Sequence, residues 1–210
     1  MYAKVKEFIQ DYLFGKKVDL NDRNVLRNLS ETEARRTILE TFKKYINELT
    51  VVDKGEAQIA NYIKISNTRP FIVKPQDTIV PKKSVFNRII GDSHFELEFA
   101  AFLEHCDDIV SFSKNFLAIG FKLDYKNAAG EISNYYPDFI VKVNEKEIYI
   151  VETKGNEDLD DPLKLERLKQ WCDDVNANQS KVTIKNLYVT QINFEKYRPK
   201  TLTELVKNFS

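Results

Sequence analysis

Through the first part of the chain, apolar positions recur at three- and four-residue spacing. In YAKVKEFIQDYLF, Val5, Phe8, Ile9, Tyr12 and Leu13 fall on one face, which predicts a helix. SETEARRTILETFKKYINEL opens with a capping box from Ser30 to Glu33, and its stripe runs through Ala34, Ile38, Phe42, Tyr45, Ile46 and Leu49. From Val51 to Ile90 the signal weakens to a strand near NYIKIS followed by prolines. That pattern suggests a mainly helical region over 1–90 and a soft boundary near Gly91. Residues 91–210 change character. SHFELEFAAFLEHC is an amphipathic helix with Phe95, Phe99, Phe102 and Cys106 inward. Strands are expected at 117–125, 132–143 and 147–154, the first two joined by KNAAGE, a turn built on Asn127 and Gly130. DPLKLERLKQWCDDVN is a helix with Asp161 as cap and Pro162 at its first position. A strand at 182–190 precedes a last short helix, TLTELVKNF. The expected order is helix, three strands in a meander, helix, strand, an α/β plan.

Within the meander, YYPDFIVKVNEKEIYIVETKG sets Asp138, Glu152 and Lys154 among strand-forming residues. FIVKV and EIYIV read as a β-hairpin across NEK, centred on Glu145. In an antiparallel pair centred there, opposed residues have numbers summing to 290, so Asp138 faces Glu152, with Cβ atoms about 5 Å apart. Lys154 lies two residues past Glu152 and shares that face. A slip of one residue would send the two acids to opposite faces.

Two opposed carboxylates repel, and a divalent cation compensates them. Mg²⁺ takes hard oxygens, commonly one or two carboxylates with waters and substrate phosphate oxygens. Asp138, Glu152 and the backbone carbonyl of Thr153 would hold Mg²⁺, or Mn²⁺ in its place, with positions left open. Such an ion polarises a phosphodiester and lowers the pKa of a bound water. Lys154 would orient that water or stabilise charge on the transition state. The chemistry implied is metal-assisted phosphodiester hydrolysis. The same residues also have a plain account, with Glu152 and Lys154 as a solvated strand end and Pro137-Asp138 as a strand-entry turn.

A third acidic ligand could come from the preceding helix, where Glu96 and Glu98 flank the phenylalanine face on opposite sides. Ser93 to Glu96 also fits a capping box, a complete structural account of Glu96, and Glu98 reads as solvated. Lys114 and Asn115, in SFSKNF, follow the helix and a short strand, where a backbone phosphate could approach; a solvated strand end explains them too. PKKSVFNR (81–88) and KYRPK (196–200) are basic clusters that could meet phosphates or form ordinary surface. Asp158, Asp160 and Asp161 lack the spacing and final glutamate of a calcium loop. His94 and His105 have no partner at zinc or triad spacing.

Composition narrows the classes. With 210 residues, 42% hydrophobic and 30% charged, the chain has ample core for a globular fold. No apolar run approaches the roughly 20 residues of a membrane span, and the N-terminus lacks a signal peptide's apolar stretch. Two distant cysteines, Cys106 and Cys172, suit no metal spacing and read as reduced thiols, so a cytoplasmic location is expected. Lys plus Arg equal Asp plus Glu at 32 each, which argues against a dedicated electrostatic duplex binder. No G-x-x-x-x-G-K-[ST] loop is present, so no ATP site is expected.

YYPDFIV with IYIVETKG resembles the PD-(D/E)xK nuclease superfamily, whose helix, three strands, helix and strand match the order above. More closely, the chain resembles the C-terminal endonuclease part of the restriction subunit of type III restriction-modification enzymes. That resemblance runs through GDSHFELEFAAFLE, VSFSKNF, GFKLDY, YYPDFIV, IVETKGNEDLDDP and LKQWC, and more loosely through VLRNLSETEA and TRPFIV. It implies metal-binding Asp138 and Glu152, a catalytic Lys154, and Glu96 rather than Glu98 as the helix acid. Relatives often lay basic residues of the helix after the E-x-K strand against DNA, which points to Lys164 and Lys169, though a charged outer face explains them equally well. Some use a glutamine near the position of Gln191. The resemblance implies DNA cleavage with 5′-phosphate ends, and two copies acting on DNA as a transient dimer. It further implies an upstream ATP-driven motor and a methylating modification subunit as partners. The motor itself is absent from this sequence. The rival expectation is a DNA-binding or assembly module that keeps the nuclease fold without catalysis.

Overall fold

A computed structural model describes residues 2–32, 35–42, 57–72 and 77–209. The chain divides into two compact units, Met1–Asp53 and Lys54–Ser210. The first unit carries helices α1 (Tyr2–Asp11) and α2 (Arg23–Ser30), and residues 35–42 are also helical. Asp22 caps α2 by accepting from the Asn24 N–H at 2.8 Å. Phe8 packs edge-on against Phe42 at 5.3 Å between ring centres. The α1 helix stops at Asp11, so Tyr12 leaves the expected stripe and is 66% exposed. Ser30 closes α2, its hydroxyl donating to the Arg27 carbonyl. Its expected capping partner Glu33 lies outside the described residues, as do Ala34, Tyr45, Ile46 and Leu49 of the same stripe.

In the second unit, the expected strand at NYIKIS is absent. Residues 61–64 are irregular and Ile65–Asn67 form a 3-10 turn. Tyr62 and Ile63 are exposed, and alternation without a partner strand leaves the backbone groups to water. A two-stranded ribbon, β1 (Thr78–Ile79) with β2 (Ile89–Ile90), leads into helix α3 (His94–His105). Gly91 sits where the chain turns tightly into α3, since a Cβ there would lie 2.6 Å from the Ser93 carbonyl oxygen.

The main sheet has the order β3-β6-β7-β8, with β3 (Ser111–Lys114), β6 (Phe139–Asn144), β7 (Glu147–Lys154) and β8 (Thr183–Thr190). β6 is antiparallel to both β3 and β7, and β8 runs parallel to β7, joined by helix α4 (Asp161–Asn178) as the crossover. β7 is covered on both faces and therefore reads as a near-continuous apolar run. Val151 and Tyr149 pack with Phe95, Phe99 and Leu103 of α3. Ile150 and Ile148 pack with Leu168 and Cys172 of α4. Helices α5 (Gln191–Tyr197) and α6 (Leu202–Phe209) close the α3 side through Phe194, Leu202 and Leu205.

The expected meander is corrected in two places. The single strand predicted over 132–143 is two strands, β5 (Ile132–Tyr135) and β6, in different sheets. Pro137 lies between them, buried and without an N–H to donate to a ladder. The strand predicted at 117–125 survives only as β4 (Leu123–Lys126), which pairs with β5 as a separate ribbon. The meander's first strand is instead β3. The α5 helix was not expected from the sequence.

Candidate active site

Asp138 stands one residue before β6. The ladder pairs Phe139 with Val151, Ile140 with Ile150 and Val141 with Tyr149, each pair summing to 290. Continued one step beyond the ladder, this register would set Asp138 against Glu152. Its position is held from behind by Asn115, which is 7% exposed. The Asn115 backbone N–H donates to the Asp138 carbonyl at 2.7 Å, and its side-chain amide donates to the Pro137 carbonyl at 2.9 Å and the Phe121 carbonyl at 3.0 Å. The Asp138 carboxylate turns toward β7, where Oδ2 accepts from the Thr153 N–H at 2.8 Å and the Thr153 hydroxyl at 2.7 Å. Burial pushes the Asp138 pKa up, and the Glu96 charge adds to the rise, against the two Thr153 hydrogen bonds and the Lys114 charge. In a strand the N–H and C=O of one residue leave on the same side. Thr153 therefore turns its carbonyl toward the Asp138 side as well.

Glu152 is 9% exposed and accepts a 3.0 Å hydrogen bond from the Tyr135 phenol. Burial, with the Asp138 charge, pushes its pKa up to about 9, against the pull of Tyr135, Lys154 and Lys164. Lys154 closes β7 and meets two acids at the start of α4, Asp161 Oδ1 at 2.7 Å and Asp158 Oδ2 at 2.9 Å. Burial opposes the ammonium form, but these contacts outweigh it and raise the Lys154 pKa. Asp161 is 4% exposed and begins α4 itself, so it is not the expected cap. Asp160 occupies the cap position without a side-chain capping bond. The Asp161 carboxylate instead receives the Asp158 N–H at 2.7 Å and the ammonium groups of Lys154 and Lys164.

On the other side of Asp138, Glu96 forms the Ser93 half of its capping box and carries its carboxylate one residue past the cap, to Asp92. Its N–H donates to Ser93 Oγ at 3.2 Å, and its Oε2 accepts from the Asp92 N–H at 3.1 Å. The same carboxylate is paired with Lys114. Glu98 is exposed. Among the described residues, no three His, Cys, Asp or Glu side chains converge as a group that could hold a metal ion. Asp138, Glu152 and the Thr153 carbonyl are nonetheless oxygen donors of the kind a hard cation takes, and the rise in both acids' pKa values, chiefly from burial, is the direction that a bound cation would reverse.

The sequence pattern of the endonuclease domain family matches residues 82–198. The chain belongs to that family. No curated protein and no solved structure matches it. The matched stretch of the endonuclease domain runs from the turn before β2 through α5, and holds Asp138, Glu152, Lys154, Glu96 and Lys114 together.

The remaining candidates of the endonuclease domain are placed as follows. Lys114 and Asn115 are 4% and 7% exposed; Lys114 pairs with Glu96 and Asp92, and Asn115 spends its amide N–H groups on two carbonyls while its buried Oδ1 has no partner among the described residues. Lys164 lies beside Asp158 and Asp161 at 3.6 and 3.4 Å, and its ammonium sits 6.0 Å from the centre of the Tyr125 ring. Lys169 is exposed on α4. Gln191 follows Thr190, the partner of Lys154 in the parallel ladder, and donates to Glu195 at 2.7 Å. Its Oε1 lies 3.5 Å from where a Cβ on Gly155 would be, so it borders the same end of the sheet. In PKKSVFNR, the Lys82 and Lys83 N–H groups are taken by the Glu104 carboxylate. Cys106 and Cys172 are buried free thiols whose pKa values burial pushes up to about 12. Tyr135 and Thr153 are the partners that sequence reading left without a side-chain role.

Proposed function

We propose that the chain is a Mg²⁺-dependent endonuclease that hydrolyses DNA phosphodiester bonds. It would be the cleavage module of a type III restriction enzyme or a related helicase-nuclease. Membership of the endonuclease domain family points to nuclease activity. The observation that carries the finer reading is a ladder that runs at sums of 290 to Phe139–Val151, one step short of Asp138 and Glu152, with Lys154 two residues further along the same strand.

Asp138, Glu152 and the Thr153 carbonyl would hold the ion, which when bound polarises the phosphodiester and acidifies a water. Thr153 fixes the Asp138 carboxylate and Tyr135 fixes that of Glu152, so both acids are presented in one orientation. Lys154 is held as an ammonium by Asp158 and Asp161. It therefore acts as a fixed positive charge toward the developing phosphorane and not as a proton acceptor. Specificity and delivery would come from an upstream ATP-driven motor and a DNA-methylating subunit, in the cytoplasm.

The test is plasmid nicking by the purified chain in Mg²⁺, Mn²⁺ and EDTA, with Asp138→Ala alongside and a matched RNA as second substrate. Nicking of DNA that needs both the ion and Asp138 supports the proposal. Failure alone and again after restoring motor, partner subunit and ATP would sink it in favour of a non-catalytic module.

A further inference from the structure

Lys114 ends β3 opposite Phe139, the residue after Asp138. Its side chain is 5% exposed, and its ammonium lies 5.8 Å from the centre of the Phe139 ring. It is paired with the Glu96 carboxylate and lies 3.1 Å from Asp92 Oδ2. Its charge also reaches Asp138 and favours that carboxylate's ionised form. Burying an ammonium is unfavourable unless acids surround it. Here the acids are those of the candidate metal site and the cap beside it. Glu96 is fully committed, one oxygen to Lys114 and the Asp92 N–H, the other receiving the Ser93 hydroxyl at 3.3 Å.

We propose that Lys114 is a built-in cation standing in the place of a second metal ion, so that the site admits a single divalent cation, at Asp138 and Glu152. This rests on the metal reading given under Proposed function and adds to it the number of ions and the reason for that number. A divalent ion approaching Glu96 would have to displace an ammonium that has almost no solvent to retreat into.

Mn²⁺ titration of the full chain, read by electron paramagnetic resonance of free Mn²⁺ and by calorimetry, tests this without any cleavage assay. The wild-type chain is expected to bind one ion, lost in Asp138→Asn. Lys114→Gln, with native circular dichroism, is expected to bind two, the second removed again by adding Glu96→Gln. Should Lys114→Gln fail to fold, Lys114→Met takes its place, since a thioether suits the space beside Phe139. Two ions in the wild type, or a single ion in the folded Lys114 variant, overturns the inference and leaves the nuclease reading intact. No ion in the wild type, or one indifferent to Asp138, overturns both.

Discussion

The phenol of Tyr135 donates to Oε2 of Glu152 at 3.0 Å, tying the end of the β4–β5 ribbon to the central strand of another sheet. Outer partners of metal-binding carboxylates set their orientation and basicity, and their loss commonly weakens metal affinity about 10- to 100-fold. Tyr135→Phe is therefore expected to weaken Mn²⁺ binding by that order, with cleavage recovering as the ion is raised. Unchanged Mn²⁺ affinity in the folded variant would show that Glu152 is oriented by something else.

Glu152 titrates near pH 9 in the fold, against an ordinary value of 4.5. An acid whose pKa rises on folding favours the fold while it stays protonated. Its contribution is fully present below about pH 4.5 and is lost as the pH climbs through about 9. The metal-free chain should accordingly lose stability, by the order of a few kcal/mol, across that window. Urea midpoints measured in steps of pH check this, with Glu152→Gln flattening the slope and Mg²⁺ opposing it at the alkaline end. A wild-type profile as flat as that of Glu152→Gln would refute the burial argument.

Asp161 holds Lys154 at 2.7 Å from a nearly closed position in the first turn of α4. Displacing a reacting group by about an ångström can slow a reaction about a hundredfold. Asp161→Asn should lower the cleavage rate by about 10- to 100-fold while Mn²⁺ affinity and DNA binding hold steady. Asp161→Glu should recover part of the loss. Equal losses in rate and in DNA binding would instead point to a general collapse of the loop at 155–160.

Asp108 anchors the last helix. Its carboxylate accepts from the Leu202 N–H at 2.9 Å, the Thr203 N–H at 2.8 Å and the Thr203 hydroxyl at 2.8 Å. Burial would raise the Asp108 pKa, but these hydrogen bonds outweigh it and hold it below the ordinary carboxylate value. Asp108→Ala is expected to cost about 1–2 kcal/mol, as lost helix caps do. Because the folded pKa is lowered, the stabilisation is present above the ordinary carboxylate range and disappears as pH falls through the folded value. Denaturant unfolding at neutral and acid pH should show the wild type and variant converging in acid.

The hairpin register was legible in the sequence as far as Phe139 and Val151, though not for the reason that spacing suggests. The turn is Glu145-Lys146, closed by Asn144 opposite Glu147, a pair summing to 291. A register shift between Lys142 and Asn144 then leaves Val143 as an extra residue and returns the ladder to sums of 290. Without that extra residue the ladder would keep sums of 291 and bring Asp138 opposite Thr153 instead. Period and capping likewise gave α3, α4, β8 and α6 to within a residue or two. The helix α5 was hidden because its seven residues bury only Phe194, too few for a periodic stripe. The partners Tyr135–Glu152, Lys114–Glu96 and Asp161–Lys154 join different elements, and no local pattern encodes such meetings. Asn115 shows the same limit. A surface-type residue in sequence, it is a buried clamp on the Pro137 carbonyl in the fold.

The β4–β5 ribbon has one more consequence. Besides Tyr135, it reaches α4 through Tyr125, whose phenol donates to Asp160 at 2.9 Å, and through the Ala128 N–H, which donates to the same carboxylate at 2.8 Å. Arg167 of α4 donates back to the Asp124 carbonyl at 3.1 Å. A single hairpin thus grips both the carboxylate of Glu152 and the helix start that holds the ammonium of Lys154. The two groups behave like jaws on a common hinge pin. They stand two residues apart on β7, and because the ribbon holds the outer partner of each, a disturbance at its tip between Asn127 and Gly130 would be felt by both at once.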